Sequence, residues 1–424
     1  MSITTADARP HRRATLAGLC LALATALTGC SFADHSSRRP ASGGRAADEV
    51  VPLVRQVLNQ RARSLRAGDA AAFLATTAQE RPRFVASQRV YFDNLMQLPL
   101  GVLTYRLDAS SLVSADGEYA AVVQVHLQLE GYDEVPVVRP TRFHFTRHPD
   151  GDAMLVAGDR DPAWERRNDV TVPPWVRGPI TVRIGTGVLG VFDDESAVRA
   201  EDVISAVEEG IGRVQQVVPS EWSGNVVVYA LSETDMLEAL DDLPGGDPDA
   251  LDAVAFPVPA TPGGEHGVVA STRFLLHPRM LDSDPRRLAR LIRHELTHVA
   301  LGSRDDDLPT WLSEGIAEWV SVQALPEHQR LISQQAIDAA RAGLDELPDD
   351  VDFNGEDQAE HYGISWWACE AIVDMYGEEM LWLLLDELAA AGPADQADVL
   401  QQTLQLGPGQ LAREAGKRIV ATYG

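Results

Sequence analysis

From residue 49 onward, apolar positions recur first at helical spacing and then in strict alternation. Val50, Val51, Val54, Val57, Leu58 and Leu65 predict a helix that Gly68 stops. Asp69 is placed to cap a second helix over 70–76, and residues 84–96 predict a third. The period then changes to two. Val123, Val125, Leu127 and Leu129 alternate with Gln124, His126, Gln128 and Glu130, and Phe143 and Phe145 alternate with Arg142 and His144. The turn Pro149-Asp150-Gly151 leads to a further strand over 153–157. Helices first and an antiparallel sheet afterwards predict an α+β fold. His126 and His144 fall on the polar faces of their strands and read as solvated.

That order of elements, with RSLRAGDAAAFLA at 63–75, resembles the nuclear transport factor two-like fold over residues 48–160. The resemblance implies a curved sheet with a concave pocket or docking surface. Residues 161–179, with their prolines and mixed charges, read as a linker to a second domain over 180–424. There, strands are expected at 180–184, 188–192 and 225–231 (NVVVYAL), with an amphipathic helix over 203–217 between the last two. A short helix near 234–240 and a turn-rich acidic loop over 241–252 come next. Further strands are expected at 254–256, 268–271 and 273–276, and everything after Asp284 reads as helix. The second domain is thus a small mixed sheet followed by a helical half.

The first thirty residues follow a different rule. His11-Arg12-Arg13 precedes an apolar run over 14–27, too short for the roughly 20 residues of a membrane span. Leu27-Thr28-Gly29-Cys30 then resembles the lipobox of bacterial lipoproteins. The resemblance implies a signal peptide over 1–29, acylation of Cys30, a flexible tether over 30–47, and a lipid-anchored chain on the extracytoplasmic face of the membrane. Arg12-Arg13 also allows twin-arginine export. Of three cysteines only Cys369 remains in the folded part, so no intrachain disulfide is available there. Its neighbours Trp366, Trp367 and Ile372 mark it as a small buried residue. The formal charge is −27, and −29 once residues 1–29, which carry +2, are set aside. Such a surface repels nucleic-acid phosphates and anionic lipid, and excludes both as electrostatic partners.

The chemistry concentrates in RHELTHVALG at 293–302. Leu288, Leu291, Ile292, Leu296 and Val299 line one side of a helix that Gly302 ends. His294 and His298 stand one turn apart, with Cβ atoms roughly 5–6 Å from each other. Both imidazoles can therefore reach one Zn²⁺ at about 2.0–2.1 Å. Glu295 is rotated by about 100° from His294, so it can face a water without ligating. The pattern H-E-x-x-H arises by chance only about 0.02 times in a chain of this composition, which makes coincidence a poor explanation. A catalytic zinc needs a third protein ligand. Glu314 offers it from a second helix, with Thr310 as its expected N-cap, folded back through residues 303–309. Glu318, one turn further, can accept the outer N–H of a ligand histidine.

HELTH followed by WLSEGIAEW resembles the gluzincin metallopeptidases, the thermolysin-like group. The resemblance implies His294, His298 and Glu314 as zinc ligands, Glu295 as general base, and Glu318 as the carboxylate that orients a histidine. Tyr362, in YGISWW, is placed by it as a donor to the oxyanion, beside the plainer reading of a core tyrosine; His361 is a weaker candidate. The G-x-M-E-N segment with which gluzincin aminopeptidases hold a free amine has no counterpart between Val254 and Pro278. The expected activity is accordingly that of an endopeptidase on a polypeptide substrate, with residues 268–273 as the edge strand along which the peptide lies. Asp305–Asp307 read as a solvated loop. The competing expectation is a non-enzymatic surface lipoprotein that binds a ligand or partner, with a structural or vestigial zinc site.

Overall fold

The computed structural model describes residues 43–424 apart from 116, 241–247, 263–266, 352 and 392–394. The expected signal peptide, Cys30 and the tether as far as residue 42 lie outside the described residues, as does the first part of the acidic loop. Among the described residues no helix is long and apolar enough to cross a membrane.

The chain is α+β. Helices α1 (Gly43–Arg66), α2 (Ala70–Leu74) and α3 (Pro82–Leu95) precede strands β1 (Leu100–Leu107), β2 (Val113–Ala115), β3 (Glu118–Leu129), β4 (Val137–Arg147) and β5 (Met154–Gly158). Asp69 accepts a hydrogen bond from the Ala72 N–H and so caps α2. The strands form an antiparallel sheet in the order β1-β3-β4-β5, with β2 on β3. The residues that alternate inward along β3, Val123, Val125, Leu127 and Leu129, are buried against α1–α3.

Residues 161–179 hold two short helices, α4 (Pro162–Arg167) and α5 (Pro174–Arg177), rather than an open connection. Trp175 on α5 is buried in the same apolar cluster as α1–α3. The second sheet comprises β6 (Thr181–Ile184), β7 (Val188–Phe192), β8 (Val226–Ala230), β9 (Ala253–Pro259) and β10 (Val269–Leu276), with α6 (Ala200–Val217) crossing between β7 and β8. Its order is β6-β7-β8-β10-β9, parallel at its centre and antiparallel at both margins. Every residue of β7 and β8 is buried, the expected signature of parallel strands covered on both faces. Val188, Phe192, Val228 and Phe274 face the helical half. Leu189, Val191, Tyr229 and Leu275 face the other way, into the cluster shared with α1–α3 and the first sheet. The two halves therefore meet through one continuous core.

One expectation about this sheet is corrected. Residues 268–273 were expected at its edge, yet β10 is paired on both sides, with β8 and with β9. The edge is β9, whose Pro257 and Pro259 lack the N–H a neighbouring strand would need.

The helical half comprises α7 (Pro285–Leu301), α8 (Thr310–Gln323), α9 (Gln334–Ala342), α10 (Gln358–Tyr376), α11 (Glu378–Ala391), α12 (Gln396–Thr403) and α13 (Pro408–Tyr423). Asp284 caps α7 by accepting from the Arg286 N–H, Pro285 occupies its first turn, and Gly302 ends it at φ 56°. Leu288, Ile292, Leu296 and Val299 bury one side of α7, each contributing about 1.5–3 kcal/mol. Thr310 is not the cap of α8. Pro309 occupies that position, and the Thr310 N–H donates instead to Asp350 Oδ1 at 2.7 Å. Cys369 is fully buried and unpaired, deep in α10.

Candidate metal centre

The centre lies where α7 and α8 cross beneath α10. His294 Nε2 and His298 Nε2 are 3.2 Å apart, and Glu314 Oε2 lies 3.1 Å from the first and 3.6 Å from the second. These separations match the roughly 3.3 Å edge of a tetrahedron whose ligands stand about 2.05 Å from its centre. The circle through the three atoms has a radius of about 1.9 Å, within the zinc–ligand distance of about 2.0–2.1 Å, so all three could ligate one ion. Together they form a group that can hold a metal ion.

The outer nitrogens explain why the inner ones converge. His298 Nδ1 donates to Asp305 Oδ2 at 2.7 Å, and Asp305 Oδ1 accepts from Ser313 Oγ, also at 2.7 Å. His294 Nδ1 lies 3.2 Å from Glu318 Oε1, off the line of a well-formed hydrogen bond. With the Nδ1 protons directed at carboxylates, both Nε2 lone pairs point at one place, and two facing lone pairs repel unless a cation stands between them. Glu314 Oε2 is buried there without a well-formed hydrogen bond of its own. This orphaned anionic oxygen, aimed at two imidazole nitrogens, fits a cation better than any protein partner.

Charge balance gives the same answer. Burial favours neutral imidazole at His294, but the adjacent carboxylates of Glu314 and Glu318 outweigh it and raise the group to about 9. For His298, Asp305 and Glu314 likewise overcome burial and raise it well above the ordinary range. Burial pushes Glu314 up, and the two imidazoles beside it more than reverse this, holding it far below the usual carboxylate range. A surplus of negative charge around two imidazoles is met by protons or by a metal ion.

Glu295 stands apart from this group. It is buried where α7 packs against β9, and is raised chiefly by burial, with the histidines opposing. It lines a cleft of about 380 Å³ together with Leu251, Ala253, Leu291, Ile332, Tyr362 and Trp366. The Tyr362 ring centroid is 5.9 Å from that of His294. Burial and the carboxylates of Glu314 and Glu295 raise Tyr362 well above the usual phenol range, so it stays a donor. His361 faces elsewhere, with Nδ1 donating to the Phe353 carbonyl at 2.8 Å. His126 and His144 are half-buried on the first sheet, away from the metal-binding group. A second cavity, of about 360 Å³, lies past the ends of β7 and β8; its Asp193 is satisfied by Ser196 and Ser232.

One contributor carries no signal in the sequence. Asp305 follows His298 by seven residues across a helix end, a spacing no helical rule marks. The close approach of α8 and α10 is set by Gly315, where a Cβ would stand 2.6 Å from the Ser365 carbonyl oxygen and 2.9 Å from Cys369 Sγ. Gly315→Ala therefore moves α8, and Glu314 with it. Chemical denaturation is expected to register a loss of about 1–3 kcal/mol, accompanied by weaker metal binding. Unchanged stability would mean that the two helices can separate freely.

No protein-family model matches the chain, and no curated protein matches it.

Proposed function

We propose that the chain is a zinc-dependent peptidase of the gluzincin kind, acting on polypeptides outside the cytoplasm from a lipid anchor at Cys30. The observation that carries the catalytic part is the convergence of His294 Nε2, His298 Nε2 and Glu314 Oε2 on one point beside a cleft that also holds Glu295. Two nitrogen ligands and one carboxylate suit zinc among the divalent cations, and three protein ligands leave one position for water or substrate. A zinc ion held there supplies Lewis acidity, polarising a carbonyl and lowering the pKa of water toward about 7.

The remaining work falls to side chains. Glu295, buried on the wall of the cleft, takes the proton from the attacking water and returns it to the leaving amine. Its raised pKa brings it toward the range where both transfers are efficient. Tyr362, kept protonated, donates to the developing oxyanion. Asp305 and Glu318 hold the two imidazoles in the tautomer that presents Nε2. The anchor and location rest on Leu27-Thr28-Gly29-Cys30.

The test is hydrolysis of a mixed peptide library by the purified chain, before and after chelation and after zinc is restored. Cleavage that disappears with chelator and returns with zinc is the expected result. A zinc-loaded chain that cleaves nothing in the library would leave the peptidase reading without support.

A further inference from the structure

We propose that Arg290 is a positioning residue for the metal centre, its guanidinium fixing Glu318 against His294 and tying that carboxylate to the wall of the cleft at Leu331. The inference rests on the metal-binding part of the reading above and not on peptide hydrolysis.

Arg290 precedes His294 by one turn of α7, so the two side chains leave the helix on the same side. Its Nη2 donates to Glu318 Oε2, while the other oxygen of that carboxylate, Oε1, faces His294 Nδ1 at 3.2 Å. Its Nη1 donates to the Leu331 carbonyl at 3.0 Å. The guanidinium carbon stands 5.3 Å from the ring centroid of Trp366, which also lines the cleft. One planar cation thus touches the carboxylate behind a metal ligand, the backbone at the rim and an aromatic ring in the wall.

A carboxylate next to a ligand imidazole has other options: it can swap oxygens, turn into solvent, or swing toward the cation. With Oε2 held by a charged donor, Glu318 keeps Oε1 on His294. Asp305 is held in the same manner behind His298, by the neutral hydroxyl of Ser313. Arginine suits the position because its planar fork serves the two acceptors from separate, fixed nitrogens, whereas the single nitrogen of a lysine would have to come within reach of both.

The experiment measures zinc affinity by competition with a chromophoric chelator in the wild-type chain, R290Q, R290K, E318Q and the double variant R290Q/E318Q, with thermal unfolding of each metal-free protein alongside. R290Q is expected to bind zinc about ten- to hundredfold more weakly, and R290K to recover part of that loss. In the E318Q background the same change should add less than about twofold, because Arg290 acts through Glu318. Wild-type affinity in R290Q would overturn the proposal, even with a lowered melting temperature. Equal losses in both backgrounds would overturn it as well, assigning Arg290 to packing alone. A wild-type chain that binds zinc yet cleaves no peptide would refute the peptidase reading and leave this comparison intact, whereas one that takes up no zinc would sink both.

Discussion

Glu295→Gln is expected to leave one equivalent of zinc on the chain and to lower kcat/KM for peptide cleavage by about 10²–10⁴-fold. Glutamine has nearly the same shape, so the wall of the cleft that Glu295 lines keeps its form. What disappears is basicity. The amide cannot take a proton from water, and the three converging atoms, which do not include Glu295, are untouched. Metal content and peptide kinetics on the same preparation separate the two roles. Retained activity would remove the base assignment, and loss of zinc would move Glu295 into the ligand set.

The second large effect lies away from the metal. Asp133, in the turn after β3, and Arg273 on β10 form an ion pair at 2.6 Å, with side chains 0% and 5% exposed. The acid also accepts from Ser271 Oγ and the Leu129 N–H, and Arg273 Nη1 donates to the Tyr229 hydroxyl. Asp133→Ala strands a guanidinium in the core, and denaturant titration should record a loss of about 3–5 kcal/mol. The pair joins the first half of the chain to the sheet whose edge strand packs against α7, the helix that carries Glu295. The same turn is fastened to β10 by the Glu134 N–H, which donates to the Ala270 carbonyl at 2.8 Å. A loss below about 1 kcal/mol, as for an exposed pair, would mean that water reaches Arg273.

Legibility in the sequence followed the range of the interactions. Period and capping act within one or two turns, so α7, its end at Gly302, and the alternation along β3 and β4 were readable from the residues alone. The His294–His298 pair was readable for the same reason, and Glu314 followed because a short connection folds α8 back on α7. Sheet order is a long-range property. Two apolar strands of similar composition, β9 and β10, do not announce which is interior, although Pro257 and Pro259 were the signal that placed β9 at the margin. The role of Asp305 depended on the path of a loop, and its position at the head of a run of three aspartates suggested only solvation. Thr310 is a common capping residue type, but the N–H groups at the start of α8 are met from elsewhere, by Asp350 across forty positions. The shared core at residues 161–179 was hidden by composition, since four prolines and several charges surround the buried Val172 and Trp175.

X-ray absorption at the zinc edge, on the purified chain and on Glu314→Ala, tests the centre most directly. The expected spectrum is one zinc per chain with two imidazole nitrogens and carboxylate or water oxygen at about 2.0–2.2 Å, and no sulfur. In Glu314→Ala the metal should be lost or its affinity sharply reduced. A wild-type chain that purifies without zinc and takes up none, or a spectrum identical in the variant, would contradict the account.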